Sequence, residues 1–366
     1  MLGSRTISFL FLFATIFSAV HGCPPSDRAA LLAFKAALSE PYIGIFNSWK
    51  GNDCCHGWYG VQCDPVHRRV ADINLHGISE EPIFQKAHRT GYMTGKISPE
   101  ICKLSWLSSL TVAEWKGISG SIPACITSLP FLRHIDLTGN KISGELPADI
   151  GRLSRLVLLH VADNQIAGQI PRSLTNLTSL AHLDLRNNLI QGTIPSDIGK
   201  MKKLSRALLS RNRLQGLIPD SFSAIYRLLV LDLSFNRLSG SIPASLGKMS
   251  VLATLNLDGN NLSGTMPASL ISSRISSLNV SRNAIEGPIP DAFGPSSYFT
   301  VLDLSYNKLK GSLPKSIGSA SYIGHLDVSH NHLCGRIPAG PPFDHLDSSS
   351  FFANDCLCGK PLKPCR

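Results

Sequence analysis

Basic side chains concentrate in the middle of this chain. Three histidines and three arginines lie there, with Asp163 and Asp184 among them. Guanidinium and imidazolium groups bind carboxylates and other anions, and histidine gains its charge as the pH falls below about 6.5. We therefore expect this set to bind an acidic partner, more tightly at acidic pH. The predicted ligand-binding residues are His134, His160, His182, Asp184, Arg186, Arg206 and Arg211.

Other chemistry is poorly represented in the sequence. It has no G-x-S-x-G nucleophile elbow, no H-E-x-x-H zinc motif, no G-x-G-x-x-G and no G-x-x-x-x-G-K phosphate loop. A second group of histidines, His325, His330 and His332, and the adjacent pair Cys54 and Cys55 lack the spacing of a metal site. We expect no enzymatic activity, no catalytic residue, no metal and no cofactor.

A pattern that recurs about every 24 residues must position these side chains. Residues 132–147 (LRHIDLTGNKISGELP) and 180–195 (LAHLDLRNNLIQGTIP) both follow LxxLxLxxNxLxGxIP. Such a period predicts a solenoid in which each repeat forms one coil stacked on the last. We predict about eleven coils. The first is irregular and starts at Val70, and the others start at Leu107, Leu132, Leu156, Leu180, Leu204, Leu228, Leu252, Ile275, Phe299 and Ile323.

Each position of the pattern has a structural cause. LxL alternates with period 2, which predicts short strands that turn their leucines inward and stack in parallel roughly 4.8 Å apart. The recurring asparagine can turn inward and satisfy backbone groups of the tight turn. Glycine permits the next bend, and proline favours a short 3₁₀ corner on the convex side. The asparagine stands at positions 140, 164, 188, 212, 236, 260, 283, 307 and 331.

The side chains beside the strand leucines point outward on the concave face. The column between the two leucines consists mostly of Asp and Asn, which can order strand edges and water. Residues that depart from this Asp and Asn pattern are better candidates for contact with a ligand, and they include His160. The alternative is a solvated surface without a partner. From the first coil to the last, the column contains Asn74, Thr111, Asp136, His160, Asp184, Leu208, Asp232, Asn256, Asn279, Asp303 and Asp327.

The phrase LxGxIP resembles the repeats of plant extracellular leucine-rich-repeat proteins, including polygalacturonase-inhibiting proteins and receptor-kinase ectodomains. The chain is also similar to the plant leucine-rich-repeat proteins named for DNA-damage repair and toleration. The second resemblance rests on PYIGIFNSW (41–49), CCHGWYGVQC (54–63), IFQKAHRTGY (83–92) and PFDHL (342–346). Together they imply an α/β solenoid, a right-handed superhelix with a parallel concave sheet and disulfide-linked caps.

We expect caps because a solenoid otherwise exposes its terminal cores. An N-terminal cap over 23–69 would contain a helix over 27–38 that starts at Ser26 or Asp27. The repeats would fill 70–338 and a C-terminal cap 339–366. Residues 78–94 lengthen the first coil, either as a functional loop or by packing Phe84 and Tyr92 onto the cap, and we favour packing.

Ten cysteines fit an oxidising compartment. Cys102 and Cys125 lie at similar convex positions in successive coils, where they either form a bridge or stay buried as thiols. The pairs that resemblance to the polygalacturonase-inhibiting proteins implies are Cys23 with Cys54, Cys55 with Cys63, Cys334 with Cys356, and Cys358 with Cys365.

Residues 1–22 have the pattern of a signal peptide. Arg5 precedes an uncharged apolar stretch, and small residues precede Cys23. The stretch is shorter than the roughly 20 apolar residues of a membrane span, and no later segment is long enough either. We therefore predict a secreted protein of the cell wall or apoplast. Three sequons, at Asn176, Asn261 and Asn279, are predicted glycosylation sites.

These features predict a binding protein. The net charge is +10, which favours acidic partners. We expect the concave face to recognise a protein or an anionic polysaccharide, in cell-wall defence or signalling, with a receptor-kinase ectodomain as one candidate partner. Alternatives are the DNA-damage role implied by the family name and a structural or wall-adsorbing role. We expect no nucleic-acid binding, because the basic residues are not interleaved with stacking aromatics.

Overall fold

The computed structural model describes residues 23–78, 80–340 and 343–365. The predicted signal peptide lies outside these residues. The chain winds into stacked coils, and each coil adds one strand to a twelve-stranded concave sheet. The first two strands pair antiparallel and the rest are parallel. The strands are Val61–Cys63, Val70–His76, Ser109–Ala113, His134–Asp136, Leu158–His160, His182–Asp184, Arg206–Leu208, Val230–Asp232, Thr254–Asn256, Ser277–Asn279, Tyr298–Asp303 and Tyr322–Asp327.

Two further sheets are present among the described residues, and the strands of the larger one follow the turn after the asparagine. Three strands form one of them: Leu38–Ser39, Met93–Lys96 and Lys116–Ser119. Eight strands form the other, which we call the second sheet: Gln191–Thr193, Arg213–Gly216, Arg237–Gly240, Asn261–Thr265, Ala284–Gly287, Lys308–Gly311, His332–Arg336 and Cys356–Cys358.

Short helices complete the coils. Most are 3₁₀, and in five of the repeats a proline with fixed φ stands at the N-cap of the 3₁₀ helix. The α-helices are Pro25–Ala36, Pro82–Ala87 and Ala268–Ile271. The 3₁₀ helices are Ile45–Ser48, Pro99–Lys103, Ala124–Ser128, Ile150–Arg152, Arg172–Asn176, Ile198–Lys200, Asp220–Ala224, Ala244–Lys248, Lys315–Ser319, Phe343–His345 and Ser348–Phe351.

Buried leucines and isoleucines form one continuous core through the coils. The recurring asparagines turn inward beside it, as predicted. Asn188 Nδ2 donates to the carbonyls of Val161, Leu185 and Arg186, and its Oδ1 accepts from the N–H of Ile166 at 2.9 Å. Each asparagine therefore ties its own turn to the preceding coil. The same four bonds recur at Asn164, Asn212, Asn236, Asn260, Asn283, Asn307 and Asn331.

The N-terminal helix begins earlier than the sequence predicted. It spans Pro25–Ala36, and Pro24 stands at its N-cap. Proline suits the first helical turn because the missing N–H would have no partner there. Asp27, predicted as a possible cap, is instead fully buried, where its carboxylate accepts two hydrogen bonds from Arg69 and one from the backbone of Val70. The prediction that Ser26 or Asp27 starts this helix is therefore wrong.

Disulfides staple both ends of the solenoid and one pair of early coils. The terminal pairs are those that the family resemblance implied, and Cys102 and Cys125 form a bridge rather than remaining thiols. Among the described residues, no cysteine is left free. The structure joins Cys23 to Cys54, Cys55 to Cys63, Cys102 to Cys125, Cys334 to Cys356, and Cys358 to Cys365.

The lengthened first coil packs onto its neighbours. Its helix Pro82–Ala87 buries Phe84 with its ring centroid 6.2 Å from that of Trp115, which is itself fully buried. Tyr92 stays 41% exposed, with its ring centroid 6.4 Å from that of Tyr42. The insertion therefore extends the core through Phe84, whereas Tyr92 contributes to a surface contact.

Candidate binding site

The predicted basic residues fall into defined rows of the concave sheet. His182 and Arg206 are register partners at the first position of neighbouring strands. Leu158 holds that position one coil earlier, and His134 holds it two coils earlier. His160 lies in the third position of its strand, between the register partners of that row in the flanking coils. The regular strand pairing thus spreads the predicted residues over four adjacent coils.

His160 and His182 form the centre of the predicted group. Their ring centroids are 6.3 Å apart, and His160 Nδ1 lies 4.0 Å from Asp136 Oδ2. Burial lowers the pKa of His182, and the nearby His160 and Arg206 lower it further. His182 therefore stays neutral to a lower pH than a free histidine, so its contribution to acid-strengthened binding begins below the predicted value of about 6.5.

Arg186 and Asp184 neutralise each other. Arg186 Nε and Nη2 donate to the two carboxylate oxygens of Asp184 at 2.9 and 2.7 Å. Asp184 is buried, and its hydrogen bond to Arg186 raises the pKa of the guanidinium. A bidentate pair of this kind leaves little charge for a ligand. Within the predicted set, the charge of Arg186 is therefore compensated by Asp184.

Arg211 lies beyond the end of its strand, on the turn that precedes the asparagine. Its backbone is left-handed, with φ of 54°. Its guanidinium carbon lies 4.7 Å from the ring centroid of Phe235, which occupies the same turn position in the next coil. The structure therefore places Arg211 on one rim of the sheet, apart from the row that contains His182 and Arg206.

The Asp and Asn residues of the column between the two strand leucines have a structural role. Their side-chain oxygens accept a hydrogen bond from the N–H two residues later, and so fix the turn that leaves each strand. Within the described part of the chain, the other residues of the predicted column make no such bond; they are Asn74, Thr111, His160 and Leu208. The residues that make it are Asp136, Asp184, Asp232, Asn256, Asn279, Asp303 and Asp327.

A row of uncompensated cations, which sequence reasoning missed, lies along one edge of the concave sheet. Arg133, Arg155, Lys203 and Arg227, which we call the basic edge, line a groove of about 490 Å³ together with Val157, Ser179 and Ala181. All four cations are exposed. Within the described parts of the chain, none of their side chains forms an ion pair or donates a hydrogen bond.

The signal for the basic edge was present in the repeat. Arg155, Lys203 and Arg227 each stand directly before the leucine that opens a coil, so the 24-residue period stacks them in one column. Our prediction considered only the positions beside the strand leucines and did not examine this one.

Aromatic rings accompany the basic edge at its N-terminal end. Arg155 Cζ lies 5.0 Å from the ring centroid of Phe131, whose ring stacks on Trp106 at 4.8 Å. Trp106 in turn stacks on His67 at 4.0 Å. At this end of the basic edge, one cation therefore lies against a pair of stacked aromatic rings.

The rim of the concave sheet on the other side from the basic edge carries mainly aromatic side chains. There, Arg282 lies 5.4 Å from the ring of Tyr306, and Tyr306 stacks on His330 at 4.0 Å. Phe352 packs edge-on to His330 and is 63% exposed. We call these four residues, together with Arg211 and Phe235, the aromatic rim.

The second predicted group of histidines does not converge. His330 belongs to the aromatic rim, whereas His332 Nδ1 contacts Asp355 at 3.1 Å. His325 is exposed on the concave sheet, where it is the register partner of Val301, and it forms neither kind of contact with another described residue. The sulfurs of Cys23, Cys54 and Cys55 lie close together, but disulfide bonds occupy them.

The three sequons occupy different surfaces. Asn176 ends a 3₁₀ helix and is exposed, and Asn261 is exposed at the start of a strand of the second sheet. Asn279 lies on the concave sheet, where its Oδ1 accepts hydrogen bonds from the N–H and hydroxyl of Ser281.

Comparison with known proteins agrees with this geometry. Leucine-rich-repeat family models match residues 95–208, 202–262 and 298–320, and a leucine-rich-repeat N-terminal domain model matches residues 24–64. DNA damage-repair/toleration protein DRT100 of Arabidopsis thaliana is 58% identical over 132 residues, which are 36% of this chain and 36% of that protein. A polygalacturonase inhibitor of Vitis vinifera is 35% identical over 116 residues, 32% of this chain and 30% of that protein.

A solved structure extends the likeness along the chain. The Arabidopsis receptor kinase HAESA, in complex with the peptide hormone IDA and the co-receptor SERK1, superimposes with a TM-score of 0.70 at 28% identity, over 92% of this chain and 58% of that one. The chain matches only about a third of the length of the two curated relatives. No helix among the described residues has the length and hydropathy to cross a membrane. The repeat, the stacked parallel sheets and the capping disulfides agree with these matches, and the chain belongs to the leucine-rich-repeat proteins, with the fold of the plant ectodomains of that family.

Proposed function

We propose that this chain is an extracellular binding protein whose basic edge holds an acidic polysaccharide. The observation that carries this proposal is a set of four exposed cations that line one groove, and among the described residues none of them has an acidic partner. They are Arg133, Arg155, Lys203 and Arg227. Unpaired cations along a groove attract anions and raise their local concentration. The proposed role is binding and not catalysis.

The geometry favours a linear, repetitive ligand over a compact one. The column positions of the basic edge recur once per coil, roughly 4.8 Å apart. Ser179 holds the position between Arg155 and Lys203, so the cations stand one or two coils apart. A chain that carries a carboxylate on successive sugars can therefore meet several cations in turn. The sheet beneath is held by its hydrogen bonds and core, so the protein loses little conformational freedom on binding.

We also propose where the protein acts and in which process. Five disulfides fit an oxidising environment, which supports secretion after cleavage of residues 1–22. Likeness to a protein named as a polygalacturonase inhibitor supports the cell wall or apoplast, and a role in defence or signalling there. We propose that residues 23–69 and 339–366 act as caps and that glycans at Asn176 and Asn261 leave the basic edge free.

A second candidate function is docking of a protein partner, and the aromatic rim favours it. Tyr306 and Phe352 are 47% and 63% exposed, and Arg282 lies over the ring of Tyr306. Tyrosine, phenylalanine and arginine are enriched at the energetic centres of protein interfaces. Likeness to a receptor kinase solved with a peptide hormone and a co-receptor supports a protein or receptor ectodomain as that partner.

Affinity for polygalacturonate, measured by calorimetry at two salt concentrations, tests the proposal. Replacing the four cations of the basic edge with alanine is expected to weaken binding about tenfold or more and to flatten its salt dependence. The matched control replaces four exposed cations of the second sheet, namely Arg213, Arg237, Lys308 and Lys310.

The outcomes separate the candidate functions. Equal weakening in both variants would mean that net charge alone drives binding, and a parent protein that binds no polygalacturonate would overturn the proposal. Single-stranded DNA serves as a second probe. If it binds more tightly than the polysaccharide and only the basic-edge variant loses it, nucleic acid replaces polysaccharide as the ligand.

A further inference from the structure

A second cavity, of about 420 Å³, adjoins the groove of the basic edge. The two share Arg133 and Arg155, so a ligand in one can continue into the other. Residues 62–65, from the last strand of the N-terminal cap and the turn after it, form part of its wall. On the far side of Arg227, by contrast, the coils continue through Val251 and Arg274. The groove therefore meets the cap at one end only.

The lining of this cavity differs from that of the basic edge. Beside the shared Arg133 and Arg155, it contains two carboxylates, Asp64 and Asp72, and the polar side chains of Gln62 and Ser108. Trp106 and Phe131 form an apolar wall, and their stacked rings hold each other in place. Carboxylates and amides accept hydrogen bonds from hydroxyl groups, and aromatic rings pack against apolar C–H surfaces.

Asp72 is the carboxylate of the cavity that is free to accept hydrogen bonds from a ligand. It is partly buried and lies in the same row of the concave sheet as His134, two strands away. Within the described part of the chain, its carboxylate has no hydrogen-bond or ion-pair partner. Burial raises its pKa, and His134 opposes that shift. A half-buried acceptor without a partner gains free energy when a donor reaches it.

Asp64 gives the cavity a lasting negative charge. Hydrogen bonds from the N–H and ring of His67 hold the pKa of Asp64 below its ordinary value. The carboxylates of Asp64 and Asp72 repel a sugar carboxylate placed against them and so oppose the attraction of Arg133 and Arg155 in the same cavity.

We propose that this cavity is a chain-end subsite, which takes a neutral, hydroxyl-bearing sugar at one end of an acidic oligosaccharide whose charged residues lie on the basic edge. The inference rests on the proposed function. Hydroxyl groups of the terminal sugar donate to Asp72, and its C–H surface packs against Trp106 and Phe131. The ligand is then a chain end, a free oligosaccharide or a polymer terminus, and not the middle of a long polymer.

Oligomers of galacturonic acid of one length test the subsite. One set ends in galacturonic acid, and two sets end in neutral galactose at the non-reducing or the reducing end. We expect the parent protein to bind one of the galactose-ended sets about tenfold more tightly than the fully acidic set, the scale of one charge-assisted hydrogen bond.

Two variants make the test specific. Asp72→Asn keeps the shape of the side chain and is expected to abolish most of that preference. The Lys203→Ala/Arg227→Ala variant is expected to weaken all sets equally and to leave the preference intact. Asp149→Asn, which removes an exposed carboxylate on the convex side, is the matched control and should change nothing.

The possible results distinguish the two proposals. If the parent shows no preference between ends but the Lys203→Ala/Arg227→Ala variant still weakens binding, the subsite is overturned and the basic edge stands. A preference that persists in Asp72→Asn would also overturn the assignment of the cavity. If neither variant alters binding, the proposed function itself is wrong.

Discussion

Trp115 takes the structural place that Asn140 holds one coil later. The indole Nε1 of Trp115 donates to the carbonyl of Leu75 at 2.9 Å, and Asn140 Nδ2 donates to the carbonyl of Val112 at 2.8 Å. Both bonds tie a turn to the preceding coil. The side chains differ in that an indole has a donor but no acceptor, whereas an amide has both.

The Trp115 bond predicts the effect of a small substitution. Trp115→Phe keeps most of the buried apolar surface but leaves the carbonyl of Leu75 without its donor. We expect the free energy of unfolding to fall by about 1–3 kcal/mol, the cost of an unsatisfied buried acceptor added to a small cavity. Denaturant titration measures it. Trp106→Phe is the control, because that partly exposed indole forms no hydrogen bond to any residue that the structure describes. An equal loss in both variants would contradict the assigned role of the Trp115 bond.

The buried carboxylate of Asp27 predicts that the N-terminal cap depends on one ion pair. Asp27 is fully buried, and Arg69 donates to both of its oxygens at 2.9 and 2.7 Å. Arg69→Met would leave that charge unpaired in the interior, which costs about 3–5 kcal/mol. Because a solenoid opens locally, hydrogen exchange of residues 25–36 should accelerate while the last coils keep their protection. Uniform acceleration along the chain would show that the pair has no local role.

His182 predicts a pH dependence of stability. Its pKa is lower in the folded chain than the unfolded value of about 6.5. Between those two pKa values the unfolded chain binds a proton that the folded chain does not, so stability is present above about pH 6.5 and falls as the pH drops towards the folded value. His182→Gln should remove this part of the loss, so the parent and the variant should converge in stability on acidification. A constant difference between them from pH 7 to pH 5 would contradict the assigned direction.

The period of the sequence was enough to predict the coils and the rows of the concave sheet. Inward leucines and asparagines recur at fixed spacing because each coil must cover the same cross-section, and this constraint fixes the register of His160 between Asp136 and Asp184. Solvent-facing positions carry no such constraint. The pairing of Arg186 with Asp184 depends on side-chain rotamers, which the period does not encode.

Two other features could not be predicted from the repeat, because they depart from its pattern. Trp115 occupies the asparagine position of its coil, so the pattern gave no sign of the bond it makes. The prolines at 24 and 25 start the first helix, and they outweigh the capping preference of Ser26 and Asp27. By contrast, the basic edge follows the period, but it lies at an exposed position outside the strand, whereas the prediction rested on the positions beside the strand leucines.

The contact between Phe235 and Gly259 predicts a coupling between successive turns of the aromatic rim. A Cβ at Gly259 would lie 2.9 Å from Cδ1 of the Phe235 ring, and the backbone of Gly259 is left-handed, with φ of 64°. Gly259→Ala therefore faces both a steric clash and backbone strain. We expect it to cost about 2–3 kcal/mol of unfolding free energy, of which about 1 kcal/mol is the left-handed conformation.

A double-mutant cycle separates the two causes. In a Phe235→Ala background the clash disappears but the strain remains, so Gly259→Ala should then cost only about 1 kcal/mol. The interaction energy between the two sites would be at least about 1 kcal/mol, which exceeds the deviation expected of independent positions. Gly264→Ala is the control, because its backbone is also left-handed, with φ of 77°, whereas its nearest neighbour would lie 3.6 Å away. If Gly259→Ala costs no more than Gly264→Ala, the Phe235 ring moves freely and does not order this rim.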